Sequence, residues 1–85
     1  MDIAAIDQKL EAGENLKIKY RYPSQPNGHS GRPQYGIRSD KLVDVSVELD
    51  RFYTNFRGQT PIWLESDEVI EVVPDDGIYQ EFTVE

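Results

Sequence analysis

Five cations and the only histidine of this chain fall within residues 17–38, a stretch that holds no acid. The chemistry they offer is recognition of an anion. Lys17, Lys19 and Arg21 alternate with Leu16, Ile18, Tyr20 and Tyr22. A period of two places the cations on the wet face of a strand and the apolar and tyrosine side chains toward a core. Arg32 and Arg38 follow, with Tyr35 between them. Cations interleaved with aromatic rings on a small sheet can follow a phosphate backbone and stack bases. His29 sits among Pro26, Asn27, Gly28 and Gly31, with no carboxylate beside it. Nothing there orients an imidazole for nucleophilic or acid–base work, so His29 reads as a solvated loop residue whose remaining role is contact with a ligand or partner.

The acids form two clusters, Asp67-Glu68 with Glu71, and Asp75-Asp76. Paired carboxylates can bind a divalent cation or carry out acid–base chemistry. Neither cluster has the spacing of a calcium loop, and Asp75-Asp76-Gly77 reads as a hairpin turn. No glycine-rich segment precedes a helix in the way a phosphate loop requires. The absence of cysteine rules out disulfides and thiolate metal sites. The expectation is a protein without catalytic residues, metal or cofactor, and not an enzyme.

Positioning these groups falls to a short helix and a set of short strands. Asp2 to Ala12 carries Ile3, Ile6 and Leu10 at helical spacing, with Asp2 as N-cap and Gly13 as the stop. Leu16–Tyr22 is the first strand. Pro23–Gly31 is a loop in which Asn27-Gly28 favours a tight turn. Arg32–Arg38 is a second strand, where Pro33 suggests an edge or a strand end and Gly36 a bulge or a close backbone approach. After a turn at Ser39-Asp40, Lys41–Leu49 alternates strictly, with Val43, Val45, Val47 and Leu49 on one face. Phe52–Phe56, Thr60–Leu64 and Val69–Val73 follow, separated by turns at Asp50-Arg51 and Arg57-Gly58-Gln59 and by Ser66-Asp67-Glu68. Ile78–Val84 closes the chain with Ile78, Phe82 and Val84 on one face. One helix followed by six or seven short strands argues for α+β, mainly β. The expected form is a short N-terminal helix and a small, strongly bent antiparallel sheet or SH3-like barrel, whose closure would hide the sheet edges.

Eighty-five residues fit a single domain, with the helix over 2–12 and the sheet over 15–85. The net charge of −7 is unevenly spread: −3 over residues 1–14, +5 over 15–38 and −9 over 39–85. Such a division bears on partners rather than on fold, unless the basic strand simply pairs with acidic neighbours across the sheet. No apolar run approaches the roughly 20 residues that span a bilayer. The first residues lack the basic start and apolar stretch of a signal peptide, so a cytoplasmic protein with no membrane association is expected.

Ala5-Ile6, then Leu16-Lys17-Ile18-Lys19-Tyr20, then Arg32, then Arg57 to Val72 as a final pair of strands form an order of features that resembles the WYL family. Those are SH3-like regulatory modules of bacterial transcription factors and defence regulators. Leu42–Leu49 stands where the family has its tryptophan-tyrosine-leucine strand, and Ile62-Trp63-Leu64 comes later. Glu65, Asp67 and Glu68 replace the family's basic residues near the last strand. The resemblance implies a helix-plus-barrel architecture. The function expected is a small non-enzymatic interaction or regulatory module that binds a protein partner through its charge-divided surface. The alternative is a ligand- or nucleic-acid-sensing SH3-like domain using the basic face of residues 17–38. Nucleic acid is disfavoured by the net charge, because phosphate recognition draws most of its affinity from electrostatics. The candidate contact residues are Lys17, Lys19, Arg21, His29, Arg32 and Arg38. A monomer or a homodimer is expected, the latter through an unpaired edge at Arg32–Arg38.

Overall fold

A computed structural model describes residues 2–24, 34–56 and 58–84. Its elements run α1 (Ile3–Glu11), β1 (Leu16–Ser24), β2 (Gln34–Ser46), β3 (Arg51–Phe56), β4 (Thr60–Glu65), a 3₁₀ turn at Ser66–Glu68, β5 (Val69–Pro74) and β6 (Glu81–Val84). The expected loop at residues 25–33, with His29 and Arg32, lies outside the described residues.

The helix forms where its spacing predicts. The Asp2 carboxylate accepts from the Ala5 amide at 3.2 Å, which satisfies one of the orphan amides of the first turn. Gly13, at φ +86°, lets the chain leave the helix in a conformation that side chains resist. Ile6 is buried, and Ile3 and Leu10 flank it against the sheet core. The rest of that core is Leu16, Ile18, Tyr20, Leu42, Val45, Phe52 and Leu64.

All strand pairs are antiparallel, in the order β4-β3-β2-β1-β5, with β6 added to β2. β2 is the spine. Residues 34–41 pair with β1 on one side, while residues 35–38 pair with β6 and residues 42–46 with β3 on the other. The two end strands of the order, β4 and β5, do not pair with each other, so the sheet is not closed. The expected mainly β fold with a short N-terminal helix is present, and of the two expected forms, an antiparallel sheet or a barrel, it is the open antiparallel sheet.

Five further expectations change. No turn stands at Ser39-Asp40: the chain runs straight through as one strand of 13 residues. Asp40, a turn former by local preference, is buried there because the Tyr20 hydroxyl donates to its carboxylate at 2.5 Å. The strict alternation of Lys41–Leu49 does not mark one buried face. The β2–β3 register slips between Leu42 and Asp44, so Leu42 and Val45 are buried while Val43, Val47 and Leu49 are exposed. A bulge adds one residue and swaps the two faces. Asp44 supports it, its carboxylate accepting from the Val45 amide at 2.8 Å. The strand ends at Ser46, and residues 47–50 turn, with Asp50 at φ +54°. The last strand begins at Glu81 rather than Ile78, and both Ile78 and Phe82 are exposed. Finally, the part of the second strand expected to be a free edge is flanked by β1 and β6.

Gly36 is a close approach. It faces Tyr22 across the β1–β2 ladder, and a Cβ there would overlap the Tyr22 ring.

Candidate functional site

The alternation of β1 is realised. Leu16, Ile18 and Tyr20 are buried, Lys17 and Lys19 are half-buried and Arg21 is exposed. One of its three cations is held by an acid of the fold, and among the described residues Lys19 and Arg21 make no ion pair. Lys17 Nζ lies 2.8 Å from the Asp76 carboxylate and donates to the Ile78 carbonyl at 3.1 Å. The Lys17 ammonium, joined by the Ile78 amide, holds the Asp76 carboxyl below its ordinary value. Lys19 stands opposite Glu71 of β5. One cation of β1 is therefore neutralised inside the molecule, and a second stands in register with an acid, as cross-sheet pairing allows.

Arg38 is not on that face. It is opposite Tyr20 on the core side of β2 and only 5% exposed. Its guanidinium carbon sits 3.9 Å from the centre of the Phe56 ring and 5.4 Å from that of Tyr22. Tyr22 meets both Tyr20 and Phe56 edge to face. Asp40 Oδ2 is 3.8 Å from Nε, and Glu81 Oε1 is 3.9 Å from Nη1. These are ion-pair distances beyond hydrogen-bond range. Nε and Nη1 are enclosed and make no hydrogen bond among the described residues. Tyr22 donates to Glu81 at 2.9 Å. Burial, then the bond to Asp40, pushes the Tyr20 hydroxyl well above its ordinary value of 10.0.

A cleft of about 550 Å³ opens where β6 and β3 part along the edge of β2. Arg38, Asp40, Lys41, Asn55, Tyr79 and Glu81 line it, together with Ser39, Val43, Gly58 and Gln80. Ser39 ties the approach to β6, its amide donating to the Gln80 carbonyl and its hydroxyl oxygen accepting from the Gln80 amide. A second hollow of about 260 Å³ lies beside it, walled by Val43, Tyr53, Thr54, Asn55, Pro61, Ile62 and Trp63. Val43 and Asn55 belong to both walls, so the hollows adjoin as one groove with a polar end and an apolar end. The apolar end exists because β3 and β4 turn Phe52, Thr54 and Leu64 inward, leaving Tyr53, paired with Trp63, on the outer face. Trp63 is about half exposed, and Arg51 stacks on its ring at 4.0 Å.

Among the described residues, Glu65, Asp67 and Glu68 are the acids whose ligand atoms come together, within 4.8 Å. Glu71, grouped with them by sequence, is not among them. Two of the three are already engaged in the fold, since Glu65 and Glu68 form a reciprocal capping box around the 3₁₀ turn. Asp75 is likewise occupied, accepting from the Gly77 amide and the Tyr79 hydroxyl, as a turn residue does.

Of the six sequence candidates, Arg38 alone lines the cleft, Lys17, Lys19 and Arg21 sit on β1 away from its walls, and His29 and Arg32 lie outside the described residues. Sequence reasoning does not single out Trp63, Tyr53, Val43 and Lys41, which line the two hollows. The signal available is aromatic residues alternating on β3 and β4, which period two marks without saying which face is inward. No match to this chain is found among protein-family models, curated proteins or solved structures.

Proposed function

We propose that this protein is a non-enzymatic interaction module of SH3-like build that binds a partner protein in the groove between Arg38 and Trp63. One observation carries the reading. The outer face of β3 and β4, which a solvated sheet fills with polar side chains, instead presents Trp63, Tyr53 and Pro61 beside Val43. Exposed apolar surface of this kind, rimmed by polar groups, marks contact sites, and aromatic anchors commonly dominate their energetics. The strand order, the bulged spine β2 and the helix on the core support the SH3-like reading. A cytoplasmic protein with no membrane contact is the accompanying expectation, and among the described residues no helix is long and apolar enough to cross a bilayer.

The reading moves the contact from the basic strand to the groove. Recognition of nucleic acid by residues 17–38 is the weaker alternative, because Lys17 is paired with Asp76 and Arg38 is turned to the core side.

Trp63→Ala tests the proposal. A partner retained by the wild-type protein should be lost with Trp63→Ala and kept with Arg21→Ala, while urea unfolding shows that both variants remain folded. Retention by Trp63→Ala and loss with Arg21→Ala would return the site to β1.

A further inference from the structure

We infer that the Arg38 cleft receives a carboxylate from the partner segment, an Asp or Glu side chain or a chain terminus, while the adjoining Trp63 hollow takes an apolar side chain of the same segment. The inference rests on the groove being the binding site. Acceptors in the cleft are already engaged: Asp40 by the Tyr20 hydroxyl and Glu81 by the Tyr22 hydroxyl. Donors are not. Among the described residues, Arg38 Nε and Nη1 are enclosed without a hydrogen bond, and Lys41 makes no ion pair. Nearly all buried donors in folded proteins are paired, so two unmade bonds on one guanidinium point to a missing acceptor.

Charge does not oppose that acceptor locally. Arg38 and Lys41 balance Asp40 and Glu81 among the groups lining the cleft. The carboxylates stand close enough to offset the guanidinium charge but too far to occupy its N–H groups. A planar carboxylate matches the guanidinium fork, whereas a phosphate brings more charge toward a chain of net charge −7. A peptide also supplies the apolar group that the hollow beside Val43 would cover. Docking turns the guanidinium from the Phe56 ring toward the cleft it already lines.

The chain has one tryptophan, so Trp63 emission reports on the groove directly. The probe is an array of blocked pentapeptides, each pairing one Leu, Pro or Tyr with one Asp, and a twin array with Asn at that place. An Asp peptide should shift Trp63 emission saturably and bind at least about tenfold more tightly than its Asn twin. Arg38→Lys, which keeps the charge and loses the fork, should narrow that ratio. Because the twin comparison uses the unaltered protein, it stands even where Arg38→Lys does not fold. Equal binding by Asp and Asn twins would overturn the carboxylate and leave the groove. Silence of Trp63 toward both arrays would overturn the groove and the carboxylate with it. Displacement of a bound peptide by inorganic phosphate at lower concentration than by acetate would assign the cleft to phosphate and overturn the inference.

Discussion

Tyr22, Gly36, Arg38 and Glu81 act as one unit, and each limits what the others can become. The Tyr22 ring lies across Gly36, has the Arg38 guanidinium carbon 5.4 Å from its centre and holds Glu81 with its hydroxyl. Gly36→Ala drives a methyl group into that ring, which must swing away and give up these contacts. Overpacking of this kind costs about 1–3 kcal/mol, read as a lowered urea midpoint. In a Tyr22→Ala background the same substitution should cost clearly less, since the obstructing ring is gone. Tyr20 gives a second test. Its folded-state value is raised, so the neutral hydroxyl contributes stability that is whole below its ordinary 10.0 and is lost as pH climbs through the folded value. Ultraviolet titration should find the Tyr20 hydroxyl still protonated at pH above its ordinary 10.0, its ionisation appearing only as the chain unfolds. Tyr20→Phe should abolish that late step and cost about 1–3 kcal/mol, because it leaves the buried Asp40 without its donor.

At the scale of the elements, the bulge in β2 reverses what alternation implies. Leu42 is in the core and Val43 is on the groove, although Val43 shares its phase with Val45. Leu42→Ala should therefore cost about 2–5 kcal/mol, and Val43→Ala within about 0.5 kcal/mol, as measured by equilibrium unfolding. Near-equal losses would place the register slip elsewhere. This pair also shows what local sequence can carry. The helix from its Asp2 cap to Gly13 and the inward set of β1 are legible because neighbours along the chain decide them. The continuity of β2 is not, since Ser39-Asp40 turns by local preference and is held straight by Tyr20 and Gln80, about twenty and forty residues away. The groove is illegible for a related reason. Tyr53 and Trp63 alternate equally well for an inward or an outward face, and only the packing of Phe52 and Leu64 chooses. Arg38, by contrast, is a candidate from sequence, but as a surface cation. Its burial follows from sharing a face with Tyr20 across the ladder.

Across the whole molecule, the open sheet is fastened by the segment that follows β5. Residues 75–80 leave β5, place Asp76 on Lys17 of β1, bond Gln80 to Ser39 of β2, and deliver β6 to the β2 edge beside the cleft. The groove's polar wall thus depends on a latch remote from it in sequence. Asp76 is exposed, so solvent screens the pair and its contribution to global stability is small. Its effect should be local. The folded carboxyl titrates below its ordinary 3.8, so the latch contributes at pH above that value and is lost as pH falls through the folded one. Asp76→Asn should reproduce at neutral pH what acid does to the wild type. Hydrogen exchange of the Ser39 and Gln80 amides, which tie the segment to β2, should quicken in both cases. The amides of Ile18 and Phe52, in the core, should not change. Uniform acceleration at all four would mean that β6 and the core open together, making the C-terminal segment part of the cooperative fold rather than a fastening laid over it.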